Sequence, residues 1–157
     1  MLDDFKTAYG HRISSKKLIL AINNFILEKP EYQYKIFVGT DSENRENKIE
    51  FISVIVIHRV GYGARYFWRK KIISKKLDFY QRLWQEAIFS LNLSRDLIES
   101  LSHFRLNFDF EVHLDLGLNG KSKSIIKEIV NLIKNSGFEV KIKPESFAAS
   151  KIADYLL

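Results

Sequence analysis

Lys35-Ile36-Phe37-Val38-Gly39-Thr40-Asp41-Ser42 is the stretch on which the fold turns. Ile36, Phe37 and Val38 favour a pleated, buried strand. Gly39 to Ser42, followed by the polar run ENRENK (residues 43–48), predicts the end of that strand. A carboxylate closing a buried strand is costly unless something compensates its charge. The compensation expected for Asp41 is divalent metal shared with carboxylates from later in the chain. The plainer reading is that Asp41 and Ser42 start a turn.

Upstream, Ser14 or Ser15 caps a helix running to about Leu27, with Leu18, Ile19, Ile22, Phe25 and Ile26 on one face. Glu28-Lys29-Pro30 ends it, because the residue before proline resists the helical conformation. Downstream, Ile49 to Val60 and Ala64 to Ile73 read as strands around the turn Gly61-Tyr62-Gly63, giving an antiparallel meander. Leu77 to Leu101 is a long helix with a broad apolar face, and Glu86 lies on the flank of that face. Phe108 to Leu116 is a fourth strand, Lys121 to Asn135 a helix capped by Gly137, Phe138 to Ile142 a fifth strand, and Ser146 to Leu157 a last helix. Strands alternating with helices pair in parallel. The expected class is therefore mixed α/β. Its five-stranded sheet has three antiparallel strands and then parallel ones, with helices on both faces. One domain is expected over 1–157, with 1–34 a helical extension and 35–157 the core.

The chain has 157 residues, 46% of them hydrophobic and 28% charged, a mixture that builds a core and argues against disorder. With no cysteine, disulfides, thiolate–zinc sites and cysteine nucleophiles are excluded, so metal sites must use oxygen or imidazole. A formal charge of +6 favours an anionic partner. The opening MLDDFKTAYGHR has no basic region leading into an apolar run, and the apolar runs are strand-sized. A cytoplasmic protein with no membrane segment is expected. Oligomeric state is not legible.

Four acids lack a local explanation. Asp41 and Asp115 end the first and fourth strands, Glu86 sits on a half-buried helix flank, and Asp154 lies in the last helix. Open α/β sheets bind their ligands at strand ends. Carboxylates gathered there repel one another unless protonated or bridged by cations. Two ions would relieve the repulsion, one activating a water and the other stabilising a leaving oxygen of a phosphodiester. Each acid keeps an ordinary alternative: Glu86 pairs with Arg82 or Arg95, Asp115 belongs to the loop before Gly117, and Asp154 pairs with Lys151. Glu145 competes with Asp154 for the same role.

This order of elements and acids resembles the ribonuclease H-like superfamily. More closely, the chain resembles the YkuK-type family of predicted bacterial ribonuclease H-like proteins. The matching stretches are VGTDS, WQEA, VHLDLGLNGKSK and GFEVKIKPESFAASKIAD, spanning roughly Lys35 to Asp154. The resemblance implies a ribonuclease H-like fold and a nuclease of the two-metal type, holding two Mg2+ or Mn2+ ions. In that implied site Asp41 and Asp115 are the main ligands, Glu86 helps hold one ion, and Asp154 completes the second site or orients the water.

His113, two before Asp115 on a strand, is expected to share its face and to ligate metal or shuttle a proton, or merely to be hydrogen-bonded. Ser42, Lys143 and Glu145 are further accessory candidates. GLNGKS lacks the first glycine of a nucleotide-binding loop, so an ATP site is excluded, although Lys121 still offers a cation to a phosphate. Arg65, Arg69, Lys70 and Lys71 interleave with Trp68 and its aromatic neighbours as a nucleic-acid track, or as an ordinary strand with solvated lysines. The reading is a metal-dependent phosphodiesterase acting on RNA, DNA or a hybrid. The rivals are a binding module without turnover and a regulatory protein that retains the fold.

Overall fold

The computed structural model describes residues 1–117 and 123–146. Its elements are β1 (Phe5–Thr7), β2 (Arg12–Ile13), α1 (Ser15–Glu28), β3 (Tyr34–Arg45), β4 (Lys48–Arg59), β5 (Ala64–Ile73), α2 (Phe79–Leu101), β6 (Asp109–His113), α3 (Lys123–Asn135) and β7 (Glu139–Lys141). The strands form one mixed sheet in the order β2-β1-β5-β4-β3-β6-β7. β3, β4 and β5 are antiparallel neighbours, whereas β6 runs parallel to β3 and β7 parallel to β6.

Alternation along the strands sorts their side chains to two faces. Ile36 and Val38 of β3, Ile55 and Ile57 of β4, Phe67 of β5 and Val112 of β6 join one core with Leu18 and Ile22 of α1, Leu93 and Leu97 of α2, and Ile129 and Ile133 of α3. The three described helices thus cover one face. The opposite face carries a second apolar cluster of Phe37, Ile52, Val54 and Val56, with Tyr66 and Trp68 packed against it. The terminal helix expected over Ser146 to Leu157 lies outside the described residues, apart from Ser146 itself.

Local chemistry explains where the helices begin. The Ser14 hydroxyl accepts from the Lys17 amide at 3.2 Å and opens α1. Asp78 and Gln81 form a capping box at the start of α2, with bonds of 2.8 and 3.0 Å.

Three expectations are corrected. Among the described residues the sheet has seven strands rather than five, because residues 1–13 are not merely a lead into a helix. β1 pairs with β5, placing Lys6 opposite Trp68, and fully buried Phe5 joins the core. The first strand of the meander does not stop near Asp41. Its ladder with β4 continues from Tyr34 opposite Arg59 to Arg45 opposite Lys48, and the turn is the pair Glu46-Asn47. Backbone pairing does not require apolar side chains, so a projecting hairpin end tolerates the polar residues that imitate a loop. The fourth strand is shorter than expected, and Asp115 stands two residues past its end.

Candidate active site

Gly39 of β3 stands opposite His113 of β6 in the parallel register. Asp41 and Asp115 each follow two residues later, so the two acids leave neighbouring strands at the same end of the sheet. Adjacent strands lie about 5 Å apart. Both aspartates are half-buried. The Ser42 amide donates to Asp41 Oδ1 at 2.8 Å, which turns that carboxylate along its own strand.

Glu86 reaches the same end from α2. Ser42 points to the helix-covered face, and its hydroxyl donates to Glu86 Oε1 at 2.5 Å. One helical turn further on, Ser90 donates to Thr40 Oγ1 at 2.9 Å, Thr40 and Ser53 share a bond of 2.8 Å, and Ser94 donates to the Ser90 carbonyl at 2.7 Å. All four residues are buried. This hydroxyl ladder fixes α2 against β3 and β4 at the height of Asp41. It escapes a sequence reading because serine and threonine carry no mark of their partners.

Glu86 is only 7% exposed. Burial, and then the charges of Asp41 and Asp115, raise its carboxyl pKa from 4.5 to about 8, against the opposing pull of Ser42 and Arg82. Glu86 therefore holds a proton at neutral pH, and that proton offsets the mutual repulsion of the group. Asp115 meets a cation as well: Lys143 Nζ lies 3.0 Å from its Oδ1. Among the described residues no three carboxylate or imidazole groups stand close enough to clasp a metal ion as they are. The donor chemistry nevertheless fits a hard divalent cation. The donors are carboxylate oxygens, and their excess charge is already taken up by a proton on Glu86 and an ammonium on Asp115.

Asp154 and Lys121 lie outside the described residues. The accessory candidates divide. Ser42 and Lys143 touch the acidic group. His113 is buried on the face opposite the helices, the face that alternation also gives Asp41; it stacks on Phe37 with ring centres 4.3 Å apart and pairs with Glu111 through Nε2 at 3.2 Å. Burial lowers its pKa, with Glu111 opposing, so the ring is neutral. Exposed Glu145 lines the same cleft as His113, Lys35 and Lys141. Glu111 was not singled out, although the alternation in Asp109-Phe110-Glu111-Val112-His113 places it beside His113, and Lys35 and Lys141 each stand 3.8 Å from its Oε2.

The expected nucleic-acid track is broken by strand alternation. Arg65, Arg69 and Lys71 face the helices, whereas Trp68 and Lys70 face the other way. Arg69 is buried, donates to the carbonyls of Met1 and Asp3 at 2.8 and 3.3 Å, and covers the Phe5 ring. It is a structural residue and cannot meet a phosphate. Lys70 sits 3.5 Å from Glu50, and the Trp68 indole donates to the Thr7 carbonyl at 3.1 Å. Arg65 and Lys71 remain at the surface, over the rings of Phe25 and Phe89.

The sheet order and the acids at one end of it agree with a family match. Residues 17–156 match the family model described as Ribonuclease H-like, and the chain belongs to the ribonuclease H-like family. It is similar to the uncharacterized protein YkuK of Bacillus subtilis (strain 168), with 28% identity over 142 residues, covering 83% of each chain. Among solved structures it is similar to RNase H1 from the halophilic archaeon Halobacterium salinarum NRC-1, at 14% identity and a TM-score of 0.41, over 73% of this chain and 89% of that one. It is also similar to the N-terminal RNase H domain of rv2228c from Mycobacterium tuberculosis, at 14% identity and a TM-score of 0.38, over 78% and 93%. Among the described residues no helix is long and apolar enough to cross a membrane.

Proposed function

We propose that this chain hydrolyses phosphodiester bonds of RNA, DNA or a hybrid with the help of divalent cations. What supports the reading is the register that sets Asp41 and Asp115 at one end of the sheet, where Glu86 reaches Ser42 from α2. Asp41 and Asp115 would hold the cation, with Glu86 beside them and Asp154 the expected fourth acid. Magnesium or manganese bound there supplies a water of lowered pKa and neutralises charge on the leaving oxygen. The Ser42 hydroxyl holds the Glu86 carboxyl at this end of α2, and the hydroxyl ladder behind it keeps α2 from drifting. The net charge of +6 draws a polyanion to the surface.

The test is cleavage of labelled RNA, DNA and hybrid oligonucleotides in Mg2+ and in Mn2+. Asp41→Asn should lower cleavage by about 100-fold or more while leaving binding within a fewfold. No cation-dependent cleavage of any oligonucleotide by the native chain sinks the proposal. The second reading, a nucleic-acid-binding module without turnover, draws on one observation: the described residues do not close a three-ligand metal site. It predicts salt-dependent binding that Asp41→Asn leaves intact, with nothing cleaved.

A further inference from the structure

Asp115 is bracketed by two backbone hydrogen bonds that extend the β6–β7 pairing beyond both strands. The Leu114 amide donates to the Lys141 carbonyl, and the Lys143 amide donates to the Leu116 carbonyl, each at 2.9 Å. Lys143 is thus set beside Asp115 by the ladder itself, and its ammonium closes the contact at 3.0 Å. The Lys143 side chain is 54% exposed and that of Asp115 is 21% exposed. An ion pair of this kind is weak and exchanges readily, because the lysine head is hydrated on a flexible stem.

Resting on the reading above, we infer that Lys143 is a resident counter-ion of Asp115. It yields its place to an incoming divalent cation, and its released ammonium then meets a phosphate of the bound strand. Until the cation arrives, Lys143 offsets the charge of Asp115. Once Asp115 has a new partner, the ammonium stays tethered at the rim of the site by the same backbone bonds. Lysine suits this role as a mobile point charge for phosphate.

Calorimetric titration of Mn2+ into the native chain, Lys143→Met and Lys143→Arg tests the exchange without any measure of turnover. Removing the competitor should tighten Mn2+ binding roughly three- to fivefold in Lys143→Met, while Lys143→Arg stays within about twofold of native. Unchanged or weaker Mn2+ binding by folded Lys143→Met, or equal tightening in both variants, overturns the counter-ion role. In Mn2+, oligonucleotide binding by Lys143→Met should lose about one phosphate contact from its salt dependence. An unchanged slope overturns the phosphate contact. The two levels fail differently. If native chain and both variants bind no Mn2+, the metal reading falls and takes this one with it. If the native chain binds Mn2+ and Lys143→Met is no tighter, only the role of Lys143 falls.

Discussion

Glu86 carries a proton that most glutamates have given up well below neutral pH. Its carboxyl titrates near 4.5 when unfolded and near 8 when folded, so the folded chain binds the extra proton between those values. The stabilisation is complete below about pH 4.5 and fades as pH rises toward 8, by an amount on the order of 3–5 kcal/mol. Glu86→Gln keeps the neutral form and its bond to Ser42 while removing the titration. Urea melts at pH 5 and pH 8.5 should show a steep loss for the native chain and a flat response for the variant. Equal slopes would remove the basis for a proton held on Glu86. Much of this residue-scale picture was legible beforehand. Asp41, Glu86 and Asp115 stood out as acids without local reasons; the register sets Asp41 and Asp115 at one end of the sheet, and the Glu86 carboxyl meets Ser42 at that end. The partners were not legible: Ser42 and Lys143 were named without a contact, and the stacking of His113 on Phe37 depends on a neighbouring strand that its own segment does not reveal.

β5 and α2 were readable because their patterns are long and their boundaries chemically marked. Gly61-Tyr62-Gly63 precedes one, and Asp78 with Gln81 caps the other. β3 was misjudged because Glu43, Asn44 and Arg45 have the composition of a loop, although pairing with Lys48, Ile49 and Glu50 keeps them extended. β1 and β2, of three and two residues, fall below the length at which periodicity says anything. The joint between α2 and the sheet is the element-scale device with the sharpest consequence. Thr40→Val removes the hydroxyl that links Ser90 with Ser53 and leaves both buried groups short of a partner. It should cost about 1–3 kcal/mol in urea melts. Replacing Thr40, Ser53 and Ser90 together by Val, Ala and Ala should cost less than the sum of the three single changes. Strict additivity would mean that the ladder is not a connected unit.

Across the whole molecule, the amino-terminal hairpin acts as a seal on one side of the sheet. β1 pairs with β5, Phe5 fills the core beneath it, and Arg69 donates through Nη1 to the carbonyls of Met1 and Asp3. Deleting residues 1–13 would leave Arg69 without those acceptors and leave more of β5 as an open edge. The truncated chain should melt several degrees lower, and light scattering should find concentration-dependent association, as open edges promote. A truncated chain as stable and as monodisperse as the intact one would show that the seal is dispensable. At the other end of the sheet, β3 and β4 run on for four residues past Asp41, roughly 13 Å of paired ribbon. That ribbon is a ledge on the β4 side of Asp41. A broad body arriving over β4 meets the ledge before it meets Asp41. Selectivity for the shape of a nucleic acid would then reside in a piece of backbone that never touches the reacting bond.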